Sequence, residues 1–192
     1  ADDISDEPVE EVVDDSPVTL FFTKDGYFKK ITPQSLRMSG EQKLKDGDEI
    51  VLAQETTNDT ELLFFTNKCQ VYKAKTADFS DSKASLLGEY IPAKLGMENG
   101  EVPLSMVITK DYKGVLLFVF ENGRVSKVDL AAYYTKTNRK KLIAAFSDKF
   151  TLHSIIPLKE DAEVLITSTN GRMLLLHSGA LTTKTTRSNS GV

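Results

Sequence analysis

At 192 residues, with 40% hydrophobic and 27% charged side chains, the chain has the make-up of an ordinary soluble globular protein and the length of one domain or two small ones. Its longest apolar run, VLLFVF at 115–120, is far shorter than the roughly 20 residues of a membrane span. No basic-then-apolar segment marks a secretory leader, and a single cysteine, Cys69, cannot form an internal disulfide, so the cytoplasm is the expected compartment.

The net charge of −4 hides a segregation. Residues 1–17 carry eight acids and no base, which leaves 24 bases against 20 acids over 18–192. Such an acidic head, nearly free of aromatics, cannot bury enough surface to offset its ordering entropy and reads as a disordered linker. The body is mildly basic, which permits a polyanionic partner without demanding one.

From residue 18 onward one pattern recurs: an apolar run, a polar turn, a second short strand. It reads LFFTKDGYFKK at 20–30, LFFTNKCQVYK at 63–73, LFVFENGRVSK at 117–127 and LITSTNGRMLL at 165–175. Aligned on the turn, Gly26, Cys69, Gly123 and Gly171 are equivalent, spaced by 43, 54 and 48 residues. Asp-Gly or Asn-Gly occupies three of the four turns and predicts tight hairpins of type I′, whereas Lys68-Cys69 predicts a looser turn. The first strand of each hairpin is apolar on both faces, so each small sheet should be sandwiched between neighbours. Repeats of this length built from hairpins imply radially arranged blades, each unstable alone and buried by its neighbours. The expected repeats are about 18–60, 61–113, 114–161 and 162–192. No stretch carries convincing helical periodicity. A β-sandwich is the bland alternative, which the even spacing and equivalent turns disfavour.

A polar loop follows each hairpin, and bases collect there. The first repeat offers Arg37, Lys43 and Lys45; the second Lys83 and Lys94. The third has TKTNRKKL at 135–142 with Lys136, Arg139, Lys140 and Lys141, and the fourth has TKTTRSNSGV at 183–192 with Lys184 and Arg187. These last two stretches superpose without a gap at the 48-residue offset of their turns, Lys136 on Lys184 and Arg139 on Arg187. Bases at equivalent positions of successive blades would line one rim and follow a phosphate backbone without reading bases. The plainer reading is that loop Lys and Arg are simply solvated.

Catalytic readings find little support. His153 and His177 lack neighbours at metal-ligand spacing, Cys69 has no histidine close in sequence, and no phosphate loop, nucleophile elbow or dinucleotide fingerprint occurs. No cofactor or metal is expected.

The segments DGYFKK (25–30), LLFFTNKCQVY (62–72), LLFVFENGRVSK (116–127) and VLITSTNGRMLLL (164–176) resemble blades of the C-terminal domain of the A subunits of DNA gyrase and topoisomerase IV, bacterial type II topoisomerases. The acidic stretch resembles the linker that precedes that domain. The resemblance covers nearly all of 17–192 and implies an all-β fold, a propeller-like β-pinwheel of about four blades. It also implies a basic rim that binds and bends duplex DNA and steers the transported segment. The implied partners are double-stranded DNA, the cleavage domain carried on the same polypeptide and the ATPase subunit of an ATP-dependent holoenzyme, with no membrane and a nucleoid-associated location. In that family the catalytic tyrosine lies in the preceding region, so none of the six tyrosines here is assigned a catalytic role and the fragment itself is expected to be no enzyme.

Two departures from the family pattern matter. The glycine-rich basic box of gyrase has no intact counterpart; its place is taken by SLRMSGEQKLKDGDEI at 35–50, which favours a topoisomerase IV-like reading while leaving gyrase open. The array is also shorter than the family's usual count of blades, so it is either truncated or naturally short and open. The alternative from another class is a protein-interaction propeller of the chromosome-condensation-regulator type. A propeller enzyme would need clustered carboxylates or histidines at the channel, and none is seen.

Overall fold

The computed structural model describes residues 12–192. The acidic residues 1–11, most of the expected linker, lie outside the described residues, and 12–16 run without regular structure to the first strand. The first hairpin is β1 (Pro17–Thr23) and β2 (Tyr27–Ile31). Helix α1 (Pro33–Met38) and a loop follow, and β3 (Ile50–Thr57) returns to pair antiparallel with β1 on the side away from β2. The second hairpin is β4 (Glu61–Thr66) and β5 (Val71–Lys75). After a 3-10 turn at Thr76–Asp78 come β6 (Glu89–Tyr90), α2 (Ile91–Lys94) and β7 (Pro103–Thr109), which pairs with β4.

The third repeat runs β8 (Val115–Phe120), β9 (Val125–Asp129), a 3-10 turn at Leu130–Tyr133, β10 (Lys141–Leu142) and β11 (Leu152–Leu158), which pairs with β8. The fourth contributes β12 (Glu163–Thr167), β13 (Met173–His177) and a 3-10 turn at Ser178–Ala180. The fold is all-β, with four small sheets among the described residues.

The sheets are not built from single repeats. Strand β6 pairs with β2, and β10 pairs with β5, so the segment trailing each hairpin crosses back to edge the previous sheet. The same exchange occurs once more without a formal strand. Lys184 bridges Val128, and Val125 and Val192 exchange backbone hydrogen bonds of 2.9 and 3.0 Å. Each of the first three blades is therefore an inner strand, a hairpin and an outer edge donated by the next repeat. The inner strands β3, β7 and β11 line one central cavity of about 800 Å3.

The four turns share one geometry, which differs from the expected type I′. Gly26, Cys69, Gly123 and Gly171 each donate their backbone N–H three residues back, at 2.9–3.1 Å, and each has positive φ. Asp25, Asn122 and Asn170 keep negative φ. That is the three-residue loop in which a type I turn ends in a left-handed bulge residue. Cys69 adopts it as well, with φ 54°, so the turn without glycine is strained rather than looser. The two short helices are the other departure from expectation. α1 starts because Thr32 caps the Ser35 N–H and Pro33 sits where no intrahelical donor is needed.

The two-faced apolar strands pack as the sequence implies. Leu20, Phe22 and Phe28 of the first blade meet Leu62 and Phe64 of the second. Leu63, Phe65 and Val71 meet Leu116, Phe118 and Val128, and Leu117, Val119 and Val125 meet Val164, Ile166 and Leu176. An edge-to-face ring pair recurs at equivalent positions, Phe22 on Phe64 and Phe65 on Phe118, both at 5.7 Å. Such pairs add about 0.5–1.5 kcal/mol beyond the area they bury. Leu36 of α1 packs against Phe21 and Ile31 on the outward face of the first blade, whereas Leu165, Met173 and Leu175 on the far face of the fourth hairpin are exposed.

Candidate nucleic-acid interface

Because each trailing segment edges the preceding blade, the basic loops of the second, third and fourth repeats come to lie along outer edges, while that of the first repeat connects β2 to β3. Arg37 is exposed in the last turn of α1. Lys43 donates its backbone N–H to Ala84 O at 2.8 Å, which joins its loop to the segment that holds Lys83, and both side chains are exposed. Lys45 lies 5.5 Å from the centre of the Tyr27 ring, and a hydrogen bond to the Tyr27 hydroxyl makes its ammonium harder to deprotonate than usual. Lys94 likewise sits 5.7 Å over Phe79.

At the edge of the second blade the Lys140 carbonyl accepts the Lys73 N–H at 2.8 Å, and Lys141 pairs in register with Tyr72. Lys136, Arg139, Lys140 and Lys141 are all exposed there, although Lys141 also approaches Glu98 at 3.8 Å. At the edge of the third blade Lys184 is held by backbone bonds to Lys127 and Asp129, with its side chain exposed. Arg187 is turned inward and half-buried, its Nη1 donating to Ala132 O at 3.0 Å. All of the candidate bases but one are exposed, and the exception, Arg187, holds its own loop in place.

Several lysines of the hairpins themselves are also involved. Lys30, Lys73 and Lys127 stand four residues after their turn residues, and each reaches into the following repeat. Lys30 donates to Asn58 Oδ1 at 2.8 Å and Thr76 O at 3.2 Å; Lys127 donates to Asp161 Oδ1 and Ser178 O, both at 3.0 Å. Lys73 donates to Thr135 Oγ1 at 2.9 Å and lies 5.2 Å over the Tyr112 ring. Burial makes Lys29, Lys30 and Lys73 easier to deprotonate than free lysine. None of these was a sequence candidate for binding, yet three of the four aligned segments end in this lysine and the fourth ends in Leu175.

The loop approach depends on glycine at two of the three edges. Gly88 (φ 94°) and Gly191 (φ 71°) precede the residues that pair with Phe28 and Val125, and a Cβ on either would overlap that partner's carbonyl oxygen. Among the described residues no group of three or more His, Cys, Asp or Glu is placed to hold a metal, and no helix is long and apolar enough to cross a membrane. Burial, with a smaller contribution from Asp148, raises the proton affinity of the Cys69 thiol, so it is not set up as a nucleophile.

No family model matches the chain. Among solved structures it is similar to the C-terminal domain of DNA topoisomerase IV, with a TM-score of 0.76 at 24% identity over 93% of this chain and 56% of that one. It is also similar to the E. coli ParC C-terminal domain (TM-score 0.66, 17% identity, 91% of this chain and 71% of that one) and to the DNA gyrase A C-terminal domain (0.62, 18%, 92% and 59%). The exchanged edges and radial sheets therefore make this a β-pinwheel of the kind found in the A subunits of type II topoisomerases. In sequence it is 27% identical over 177 residues to the A subunit of DNA topoisomerase 4 from Staphylococcus aureus, covering 90% of this chain. The chain is homologous to the C-terminal domain shared by the topoisomerase IV and gyrase A subunits, and it spans 22% of the length of the Staphylococcus aureus relative.

Proposed function

We propose that this chain binds duplex DNA without reading its sequence, as the C-terminal domain of a topoisomerase IV-like A subunit, bending the DNA and steering the transported segment. The observation that carries the reading is the strand exchange, by which the trailing segments that hold Lys83, Lys136–Lys141 and Lys184 edge three successive blades, with Lys43 bonded through its backbone to the first of these segments. Bases spread along one edge neutralise successive phosphates, and distributed contacts of this kind can offset the several kcal/mol that bending costs. The segment standing in place of a basic box folds into α1 and a mixed-charge loop, which supports gripping and steering more than strong wrapping. On this reading the acidic residues 1–17 are a linker to the cleavage domain, residues 18–192 form the domain, and the working enzyme includes the ATPase subunit in the cytoplasm at the nucleoid.

The test is fluorescence anisotropy of labelled duplexes of unrelated sequence, titrated from 50 to 200 mM salt. Affinity is expected to fall by roughly 10^3-fold over that range if about six phosphates are contacted, and to vary little with sequence. Binding that is independent of salt, or no binding to plain duplex, would overturn the reading in favour of a protein-binding propeller.

A further inference from the structure

An ammonium group has three protons to donate, and a buried one needs them accepted. Lys29 meets this need with three carbonyls, those of Lys43, Ala84 and Leu86, at 2.8–3.2 Å. Lys30 has two acceptors and Asp81 at 3.9 Å, and Lys127 has a carbonyl and the Asp161 carboxylate. Lys73, at the same repeat position as Lys30 and Lys127 but only half-buried, has one hydrogen-bond acceptor among the described residues, the Thr135 hydroxyl, and lies 5.2 Å over the Tyr112 ring. Its ammonium borders a notch of about 220 Å3 at the outer edge of the second blade, lined also by Lys75, Arg139 and Lys140 and by the acids Glu61 and Asp78. Four bases against two acids leave the notch positive.

The loop over the notch is held in place. Lys73 N–H donates to Lys140 O at 2.8 Å, Arg139 N–H to Thr137 O at 2.7 Å, and Thr135 Oγ1, which accepts from Lys73, donates to Thr137 O at 3.0 Å. The loop backbone and the Lys73 ammonium are thus held in position before any ligand arrives, which lowers the ordering cost of binding. We propose that this notch is a phosphate subsite that seats one phosphodiester of the DNA backbone, with Lys73 as the ligand from the blade and Arg139 and Lys140 as ligands from the donated loop. The proposal rests on the DNA-binding reading for the source of the phosphate, but not for the existence of the site.

Two measurements separate the notch from that reading. The first compares the whole chain with its Lys73→Met variant in duplex binding across salt, with Lys113→Met, an exposed lysine lining the central cavity, as the control. Lys73→Met is expected to weaken binding by about tenfold and to reduce the log–log salt slope by about one, with Lys113→Met unchanged. Unchanged affinity and slope in Lys73→Met, while the parent chain binds DNA, overturn the notch and leave the DNA reading standing.

The second measurement follows the Lys73 side-chain NMR signals during titration with inorganic phosphate alone. A saturable shift with a rise in the Lys73 pKa is expected, because an anion favours the charged form. Failure of the parent chain to bind DNA would defeat the functional reading, but this titration still decides the notch: signals that do not move overturn it. If Lys73→Met does not fold, the exposed pair Arg139→Ala and Lys140→Ala serves in its place. The phosphate-induced shift of Lys73 should weaken severalfold in that double variant, and an undiminished shift overturns the assignment.

Discussion

The second and third blades share one plan and use it differently. In both, an inner strand, a hairpin and a donated edge make the sheet, and both donated edges come from basic loops that superpose without a gap in sequence. In space the loops are out of step. Leu142 pairs with Val71 and Val192 with Val125, and since Val71 and Val125 are equivalent, the docked residues lie 50 apart while the aligned bases lie 48 apart. On the second blade the loop runs as the short strand β10 and leaves its four bases exposed. On the third, Lys184 is bonded through its backbone and stays exposed at its ammonium, whereas the Arg187 guanidinium is taken up by the Ala132 carbonyl and fastens the tail. A sequence repeat transmits backbone position more faithfully than side-chain role, because two extra residues suffice to turn a guanidinium from solvent towards a carbonyl.

The largest expected effect separates the two edges by charge. Reversing Lys136, Arg139, Lys140 and Lys141 together to Glu should lower duplex affinity by about two orders of magnitude at moderate salt, since it removes several phosphate contacts and adds repulsion. Reversing Lys184 and Arg187 should cost less than about fivefold in binding and show itself instead in a lower melting temperature. Anisotropy and thermal melts on the same samples check both, and equal losses of affinity from the two variants would break the comparison.

A smaller effect sharpens it at the backbone. Gly191→Ala would push a Cβ into the Val125 carbonyl, on a residue whose φ of 71° already disfavours a side chain. The expected cost is about 2 kcal/mol, taken as release of the tail from β9. Hydrogen exchange should show the Val125 and Asp129 amides losing protection while Lys73, whose amide is bonded to the other loop, keeps its own. Lys141→Ala, at the residue equivalent to Gly191 in the third repeat, should leave both protected.

How far the sequence reveals this follows from where the energy lies. The blades are legible because Leu62–Phe65 and Leu116–Phe120 must be covered on both faces, and the coverings are the neighbouring copies of the same pattern. The turn positions are legible from Gly26, Gly123 and Gly171, although the type I′ expectation fails because only the bulge residue, and not the Asp or Asn before it, takes positive φ. The exchange of edges is not legible. β6 and β10 are two residues long and carry no alternating pattern, and what fixes them is backbone bonding that leaves no side-chain signature beyond Gly88 and Gly191. Lys73 lies between these cases. Its place in the repeat is plain in the sequence, but its difference from Lys30 and Lys127 consists in the partners that approach it in space, Tyr112 and Thr135, which are remote in the chain.

The smallest effect tests the two aligned arginines directly. Arg139 is exposed over the notch, whereas Arg187 donates to Ala132 O from a half-buried position. Removing a charged donor from such a bond costs about 1 kcal/mol when the acceptor can still find water. Arg187→Ala should therefore lower stability by about that amount in urea melts and change DNA affinity little. Arg139→Ala should leave the urea midpoint where it is and lower DNA affinity severalfold. The pair forms a crossed design, since each substitution moves the quantity the other leaves alone. If both arginines moved affinity and neither moved stability, the inward turn of Arg187 would not persist in solution, and Arg187 would have to be counted with Lys184 as a DNA contact of the third blade's edge.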